Sequence, residues 1–214
     1  MMFPKSTKLV KNIPKNTFYE RADMTPSVKR KFVDYVISIY LAHKLSKDTL
    51  NIKPTKNVEE IFVFEIKLKE IKYLDKIEDI LSVIDKSIPY PILFVILFDD
   101  KEVMYKIAYK QRNKVDADKS VVDVYLSLDK LELNKKIFNS LNLEIFYERL
   151  LRLFLEGYDK LDIAEAIYKY KNKLALTKEL EMLEKKVIQE KQPDRQYELH
   201  KQIKSIKKEL KNHN

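Results

Sequence analysis

A glutamate and a lysine stand two positions apart on a predicted strand, with the spacing found in many metal-dependent nucleases. In EEIFVFEIKLKE, residues 59–70, they are Glu65 and Lys67, and Lys69 follows two positions later. Side chains alternate between the two faces of a strand, so these three point to one side. A carboxylate can bind Mg²⁺ while a lysine neutralises a phosphate. This face could therefore support metal-assisted cleavage of a nucleic acid.

The nuclease hypothesis also requires a second carboxylate from an adjoining strand. Asp48 is the nearest acid upstream, but no clear strand surrounds it, and Asp34 falls inside a predicted helix. In the alternative interpretation, Glu65 and Lys67 form the solvent face of a half-buried sheet, where charged side chains are common. The sequence favours this alternative and predicts no cofactor, since only a nuclease would need Mg²⁺.

The composition excludes several other kinds of chemistry. The 214 residues include no cysteine, which rules out disulfides, thiolate metal sites and a cysteine nucleophile. Gly157 is the only glycine, so the chain lacks the glycine-rich loops that bind nucleotide phosphates. The histidines, His43, His200 and His213, are too scattered to form a zinc-binding pair, and each is predicted to lie at the surface.

Hydrophobic periodicity predicts the order of helices and strands. Thr25 and Pro26 begin a long amphipathic helix that is expected to reach residue 45. Asp99 and Asp100 form a tight turn between two strands of a hairpin. Gly157 is expected to cap the last helix of the domain. In order, the predicted elements are a helix at 26–45, a strand at 62–69, a helix at 74–88, strands at 92–98, 102–110 and 121–128, and a helix at 142–156.

This order predicts an α/β or α+β fold with a small mixed or antiparallel sheet of about four strands and flanking helices. Residues 1–25 are polar and contain several prolines, so they are expected to form an extended arm held by aromatic side chains. The folded domain is expected to span 26–157. Asp162 and Glu165 resemble a capping box at the start of a separate segment, 158–214.

The C-terminal segment predicts an antiparallel helical hairpin of coiled-coil type. Two apolar stripes at helical spacing are separated by Gln192-Pro193-Asp194, which suits a turn. The stripes could close on each other, or they could be completed by a second chain, because a two-helix hairpin buries little apolar area alone. Under the second alternative the partner-binding residues are Leu180, Leu183, Val187, Leu199, Ile203, Ile206 and Leu210.

The charge leaves nucleic-acid binding open. The net charge is +9 and the isoelectric point is about 9.3. Most of the positive charge is lysine mixed with 33 acids, a composition that is common on solvated surfaces. Residues 158–214 carry fourteen basic and ten acidic residues, so the segment is not a concentrated polybasic arm. Its candidate nucleic-acid contacts are Lys201, Lys204, Lys207, Lys208 and Lys211.

Several local patterns together resemble a known bacterial family. These are FPKSTKLVKNIPKNTFYE, VEEIFVFEIKLK, DKSIPYPILFVI followed by KIAYK, and EKQPDRQYELHKQIKSIKKEL. In this order they are similar to the family catalogued as domain of unknown function 4391. The resemblance implies a genomic neighbourhood of helicase-type ATPases and DNA methyltransferases in restriction-like, phage-defence loci. It implies no catalytic residues, and relatives often have an acid at the position of Lys67, so the Glu-x-Lys spacing is not implied as a site.

The sequence therefore leaves three functions open. The first is a non-enzymatic adaptor of a restriction-type or phage-defence system, docking through its hairpin onto a helicase or methyltransferase, or onto a second copy of itself. The second is an Mg²⁺-dependent nuclease using Glu65 with Lys67 or Lys69, and the third is a basic DNA-binding module. No apolar run is long enough for a signal peptide or a membrane span, so a cytoplasmic location is expected.

Overall fold

The structure is a computed structural model, and it describes residues 3–21, 24–112 and 120–212. The chain divides into two compact units, Met1–Phe154 and Leu155–Asn214. The first is a sheet with helices, and the second contains a pair of long helices. Within the described ranges, no helix combines the length and the apolar character needed to cross a bilayer.

The first unit contains six strands and five α-helices in its described part. Three short 3₁₀ helices, Lys5–Thr7, Ile71–Lys76 and Lys135–Phe138, join some of them. The strands are β1 (Lys8–Asn12), β2 (Val36–Leu45), β3 (Ile61–Leu68), β4 (Ile92–Phe98), β5 (Lys101–Arg112) and β6 (Ser120–Leu128). The helices are α1 (Asn16–Arg21), α2 (Pro26–Tyr35), α3 (Lys47–Leu50), α4 (Glu78–Lys86) and α5 (Leu143–Arg152).

All six strands form one mixed, mostly antiparallel sheet in the order β1-β2-β3-β4-β5-β6. Only β3 and β4 are parallel neighbours. A parallel pair needs a crossover connection, and α4 lies in it. The predicted α+β class is confirmed, but the prediction of about four strands is wrong because β1 and β2 were not recognised.

The long helix predicted over 26–45 is wrong in its second half. Thr25 caps α2, with the Val28 amide 3.4 Å from its hydroxyl oxygen, but the helix ends at Tyr35 and the chain continues as β2. Two register shifts, at Val36/Ser38 and Leu41/His43, place bulges in β2. Its buried residues consequently fall three apart, a spacing that imitates a helix, at Val36, Ile39, Ala42 and Leu45.

The N-terminal segment is not the extended arm that was expected. It contains a 3₁₀ helix, the edge strand β1 and the short helix α1. Phe18 is buried and lies 6.1 Å from the Phe32 ring, and the Tyr19 ring meets Phe32 edge-on at 5.7 Å. Aromatic contacts therefore attach this segment to α2, as anchors of this kind require.

One face of the sheet packs against α1, α2 and α4. Phe64 and Phe94, from the central strands, have ring centroids 6.4 Å apart in this core. On α5, Tyr147 is buried, donates a hydrogen bond to the Ala108 carbonyl and accepts one of 2.8 Å from the Lys110 amide. These bonds fix α5 to β5.

A buried polar cluster lies where α4 ends beside β5. The Lys110 ammonium donates to the Asp85 carbonyl at 2.7 Å, to the Asp85 carboxylate at 3.2 Å and to the Tyr90 carbonyl at 2.8 Å, and it also reaches the Ile88 carbonyl. Tyr125 donates to the other Asp85 carboxylate oxygen at 2.6 Å. Burial raises the pKa of Asp85 against the opposing effect of Lys110. Lys110 thus joins the last turn of α4 to carbonyls of the segment that follows it.

The predicted turn between β4 and β5 is present. Phe98 pairs with Lys101, so Asp99 and Asp100 are the two turn residues. Their φ angles are 51° and 58°. Two consecutive positive φ angles are typical of a type I′ hairpin turn, which matches the twist of antiparallel strands.

The predicted C-terminal helical pair is confirmed in the second unit. Helix α6 (Ile163–Gln189) begins at Asp162, whose carboxylate accepts a 2.9 Å hydrogen bond from the Glu165 amide. Helix α7 (Pro193–Asn212) follows after three residues and packs against α6. Gly157 has a φ of 88°, but α5 ends at Arg152, so the expected capping of that helix by Gly157 is wrong.

Candidate functional site

The candidate catalytic residues lie on or just beyond β3. Glu65 pairs with Tyr40 of β2 and Val95 of β4 in the middle of the sheet. Lys67 donates a hydrogen bond of 2.5 Å to the Asp100 carboxylate in the β4–β5 turn. Lys69 follows the last residue of β3, and its side chain is exposed. Lys67 therefore pairs with a turn residue.

A second carboxylate acts on Glu65 from β5, a strand that the sequence predicted without singling out this acid. It belongs to Glu102, whose carboxylate accepts a hydrogen bond from Tyr105. Burial, followed by repulsion from Glu102, raises the pKa of Glu65, and Lys8 opposes this shift. The hairpin register across the Asp99-Asp100 turn is the signal that could have located Glu102.

The two acids considered as the second carboxylate of a nuclease site lie in helices. Asp34 belongs to α2 and Asp48 to α3. Across residues 3–21, 24–112 and 120–212, no group of three or more His, Cys, Asp and Glu side chains is arranged to hold a metal ion. Glu65 in the middle of the sheet, with Lys67 paired to the Asp100 carboxylate, forms part of a charged sheet surface.

His43 is buried, so the prediction that it lies at the surface is wrong. Its side chain belongs to β2, and its Nδ1 atom lies 2.8 Å from the Thr7 hydroxyl oxygen. Thr7 also donates to the Pro4 carbonyl at 2.7 Å, and the Phe3 ring is 5.1 Å from the imidazole. Burial, and then the charge of Lys8, lower the pKa of His43. These contacts attach the N-terminal segment to the sheet.

His200 is exposed on α7. His213 lies outside the residues that the structure describes.

The structure places the seven predicted partner-binding residues between α6 and α7. Leu183, Ile203 and Ile206 are buried there. The other four are partly buried against them: Leu180, Val187, Leu199 and Leu210. The apolar stripes therefore close on each other within one chain, which is the first of the two alternatives that the sequence left open.

Polar contacts show that the two helices are antiparallel. Near the turn, the Gln196 side chain is 3.4 Å from the Val187 carbonyl. Farther along, Lys207 forms an ion pair of 2.8 Å with Glu184. Residues later in α7 thus meet residues earlier in α6. All five candidate nucleic-acid contacts are exposed on α7: Lys201, Lys204, Lys207, Lys208 and Lys211.

A second stripe on α6 was not recognised in the sequence. Tyr168, Ala175 and Met182 follow one another at intervals of seven residues, and we call them the heptad stripe. Tyr168 is 63% exposed and Met182 is 56% exposed, and Ala175 is also exposed. Seven residues correspond to nearly two helical turns, so the three side chains share one face. The pattern was missed because the leucines and isoleucines between α6 and α7 repeat more regularly in the same segment.

The fold and these surfaces define a mixed α+β protein with a six-stranded sheet and a C-terminal helical pair. A family model, Domain of unknown function (DUF4391), matches residues 1–210. The chain belongs to this family. The comparisons with curated proteins and with solved structures find no match.

Proposed function

We propose that the chain is a non-catalytic accessory protein that docks a larger DNA-processing enzyme through the outer surface of α6. The observation that carries this proposal is the heptad stripe of Tyr168, Ala175 and Met182. Large apolar side chains exposed at heptad spacing suit a partner helix, because each can insert between residues of that helix. The proposed activity needs no cofactor and takes place in the cytoplasm.

The flanks of the stripe indicate what kind of helix would bind. Lys178 and Lys185 follow Ala175 and Met182 by three residues, and both are exposed. Charges beside a coiled-coil seam select partners of opposite charge. On the opposite flank, Glu179 is exposed four residues after Ala175. The expected partner segment is therefore an amphipathic helix whose apolar face has acids along the edge that meets the lysines and a base along the edge that meets Glu179.

The seam between α6 and α7 has a different role in this proposal. Its side chains already pack against each other within the chain, with Leu183, Ile203 and Ile206 buried. Charged substitutions at these positions would damage the helical pair whether or not a partner binds there. Docking is therefore best tested on the outer surface.

The class of partner is inferred from the family. The chain belongs to the DUF4391 family, and the resemblance described above implies a neighbourhood of helicases and DNA methyltransferases in restriction-type or phage-defence loci. We accordingly infer that the enzyme docked is a helicase or a DNA methyltransferase of such a system.

The test is an affinity purification of the full-length tagged chain from its native host, with bound proteins identified by mass spectrometry. One variant combines Tyr168→Gln with Met182→Gln. A matched control combines Ile188→Gln with Tyr197→Gln, which removes two other exposed apolar side chains (83% and 70% exposed) off the stripe. Circular dichroism confirms that both variants keep their helices.

We expect a helicase or methyltransferase to accompany the wild-type chain and the control, and to be lost with the heptad-stripe variant. Equal recovery with all three chains would overturn the proposed docking surface. Recovery of neither enzyme class with the wild-type chain would overturn the proposed partner.

A further inference from the structure

Four lysines form a continuous row on α7. Lys201, Lys204, Lys208 and Lys211 are spaced by three, four and three residues, and we call them the lysine stripe. Residues at this spacing lie on one face of a helix. The stripe lies away from the seam residues Leu199, Ile203, Ile206 and Leu210, and all four lysines are exposed.

The lysines of this face outnumber the acids beside them. Glu198 is exposed three residues before Lys201, and Glu209 lies one residue past Lys208, about 100° around the helix from it. Lys207, off the stripe, pairs with Glu184. Within the described part of the chain, no ion pair involves any of the four stripe lysines. The stripe therefore presents four positive charges to a ligand.

The dimensions of the stripe suit a nucleic-acid backbone. With a rise of about 1.5 Å per residue, the four lysines cover about 15 Å of the α7 axis. Phosphates lie about 3.4 Å apart along the duplex axis on each strand, but the strand winds around that axis, so a straight row of this length reaches about two or three of them. A helix also holds the charges in a row, as contact with successive phosphates requires.

Two other polyanionic partners fit less well. A helix that binds a membrane inserts an apolar face, and the apolar face of α7 is already packed against α6. Proteins that bind single strands stack bases on several aromatic side chains, and Tyr197 is the only aromatic residue of α7.

We propose that the lysine stripe binds the phosphate backbone of duplex DNA. Lysine acts as a point charge and lacks the bidentate geometry with which arginine or asparagine reads base edges, so this contact has no sequence preference. The proposal goes beyond docking of an enzyme, because it assigns a ligand to α7 that the chain would bind without a protein partner.

The experiment measures binding of the purified full-length chain to a fluorescent duplex by anisotropy over a range of salt concentrations. One variant changes all four stripe lysines to glutamine. The matched control changes Lys86, Lys135, Lys186 and Lys191, which are exposed elsewhere in the chain, to glutamine. Both variants lose the same charge, and circular dichroism verifies their helix content.

We expect the stripe variant to bind at least about tenfold more weakly at low salt. The slope of log affinity against log salt should fall by about 2 to 3, close to 0.9 for each lost phosphate contact. The control should change the slope by less than about 1, because its lysines do not follow the backbone.

Three results would overturn the proposal. Equal weakening in both variants would show that net charge alone attracts the DNA. Tighter binding to a single strand or to duplex RNA of the same length would assign the stripe to a different nucleic acid. Binding to vesicles of phosphatidylserine and phosphatidylcholine, without binding to DNA, would assign it to a membrane surface. Because no partner enzyme is present, these results are separate from the test of docking.

Discussion

At the scale of single residues, Lys110 has the largest structural role among the charged side chains of the sheet. It is 6% exposed and binds three main-chain carbonyls and the Asp85 carboxylate. A buried ion pair is tolerated when further hydrogen bonds satisfy both partners, and here the Tyr125 hydroxyl completes the shell of Asp85. The cluster therefore stabilises the end of α4 and fixes its position beside β5.

Replacing Lys110 with methionine should lower the free energy of unfolding by about 3 to 5 kcal/mol, because Asp85 would remain buried without its cation. Urea denaturation followed by near-ultraviolet circular dichroism measures the loss. Lys106→Met is the matched control on the same strand, where the lysine is only half-buried, and it should change stability by less than about 1 kcal/mol. Similar losses in the two variants would contradict a special role for Lys110.

His43 should make stability depend on pH. Its folded-state pKa lies below the unfolded value of about 6.5. As the pH falls below about 6.5, the unfolded chain takes up a proton that the folded chain does not, so the free energy of unfolding decreases until the folded pKa is reached. We expect the free energy of unfolding to decrease as the pH falls from about 7.5 to about 5.

Urea denaturation across this range should show a smaller decrease for His43→Gln than for the wild-type chain. His200→Gln, on the exposed surface of α7, serves as the control and should behave like the wild type. If the His43 variant kept the full decrease, another group would have to be responsible.

At the scale of elements, the sequence predicted the helices and strands whose apolar residues recur at one regular spacing. The strands β3, β4, β5 and β6, the helix α5 and the C-terminal pair all have a regular apolar spacing, and their positions were predicted within a few residues. The strand β2 was not predicted, because its two bulges change the spacing of its buried apolar residues from two to three. The strand β1 was missed because all five of its residues are exposed.

The geometry of the candidate site could likewise be predicted only in part. The common face of Glu65 and Lys67 follows from alternation within one strand, and it could be predicted. The effect of Glu102 on Glu65 and the pairing of Lys67 with Asp100 depend on the register between strands, which no local pattern contains.

The turn between β4 and β5 offers a stabilising change. Asp99 and Asp100 both adopt positive φ, a conformation that aspartate tolerates but that glycine adopts at lower cost. Asp100→Gly should raise the free energy of unfolding by about 0.5 to 1 kcal/mol, because the ion pair lost with Lys67 is exposed and worth little. Asp100→Ala loses the same ion pair without gaining glycine's freedom, so it should destabilise the chain. Urea denaturation that ranked the alanine variant above the glycine variant would contradict this account of the turn.

A charge introduced into α7 should weaken the packing of the helical pair only if it lies on the face that contacts α6. Ile203→Asp places a carboxylate at a position that is 8% exposed, so amide hydrogen exchange should become faster throughout α7 and in the facing part of α6. Ser205→Asp introduces the same charge at an exposed position and should leave exchange in both helices nearly unchanged. Similar exchange in the two variants would show that the seam does not hold the helices together.

At the scale of the whole molecule, the chain has a single glycine, so other residues adopt the positive φ angles that glycine often supplies. Of the four non-glycine residues with positive φ in the described ranges, Asn51, Asp99 and Asp100 have short polar side chains that tolerate this conformation. Val10, on the edge strand β1, is the fourth and lies at a bulge. Lysine at position 110 binds a carbonyl in the last turn of α4 and two carbonyls in the segment after it.

The proposals for α6 and α7 require that the second unit bind two ligands independently. The heptad stripe lies on α6 and the lysine stripe on α7, with the apolar seam between the two helices. We therefore expect the Tyr168→Gln and Met182→Gln variant to lose the enzyme partner while its affinity for duplex DNA changes less than about twofold, since no phosphate contact is removed. The lysine-stripe variant should lose DNA affinity and still co-purify with the enzyme after nuclease treatment, which removes any link through shared DNA. If either variant lost both activities with its helix content intact, the two stripes would belong to one surface and the division of roles between α6 and α7 would be wrong.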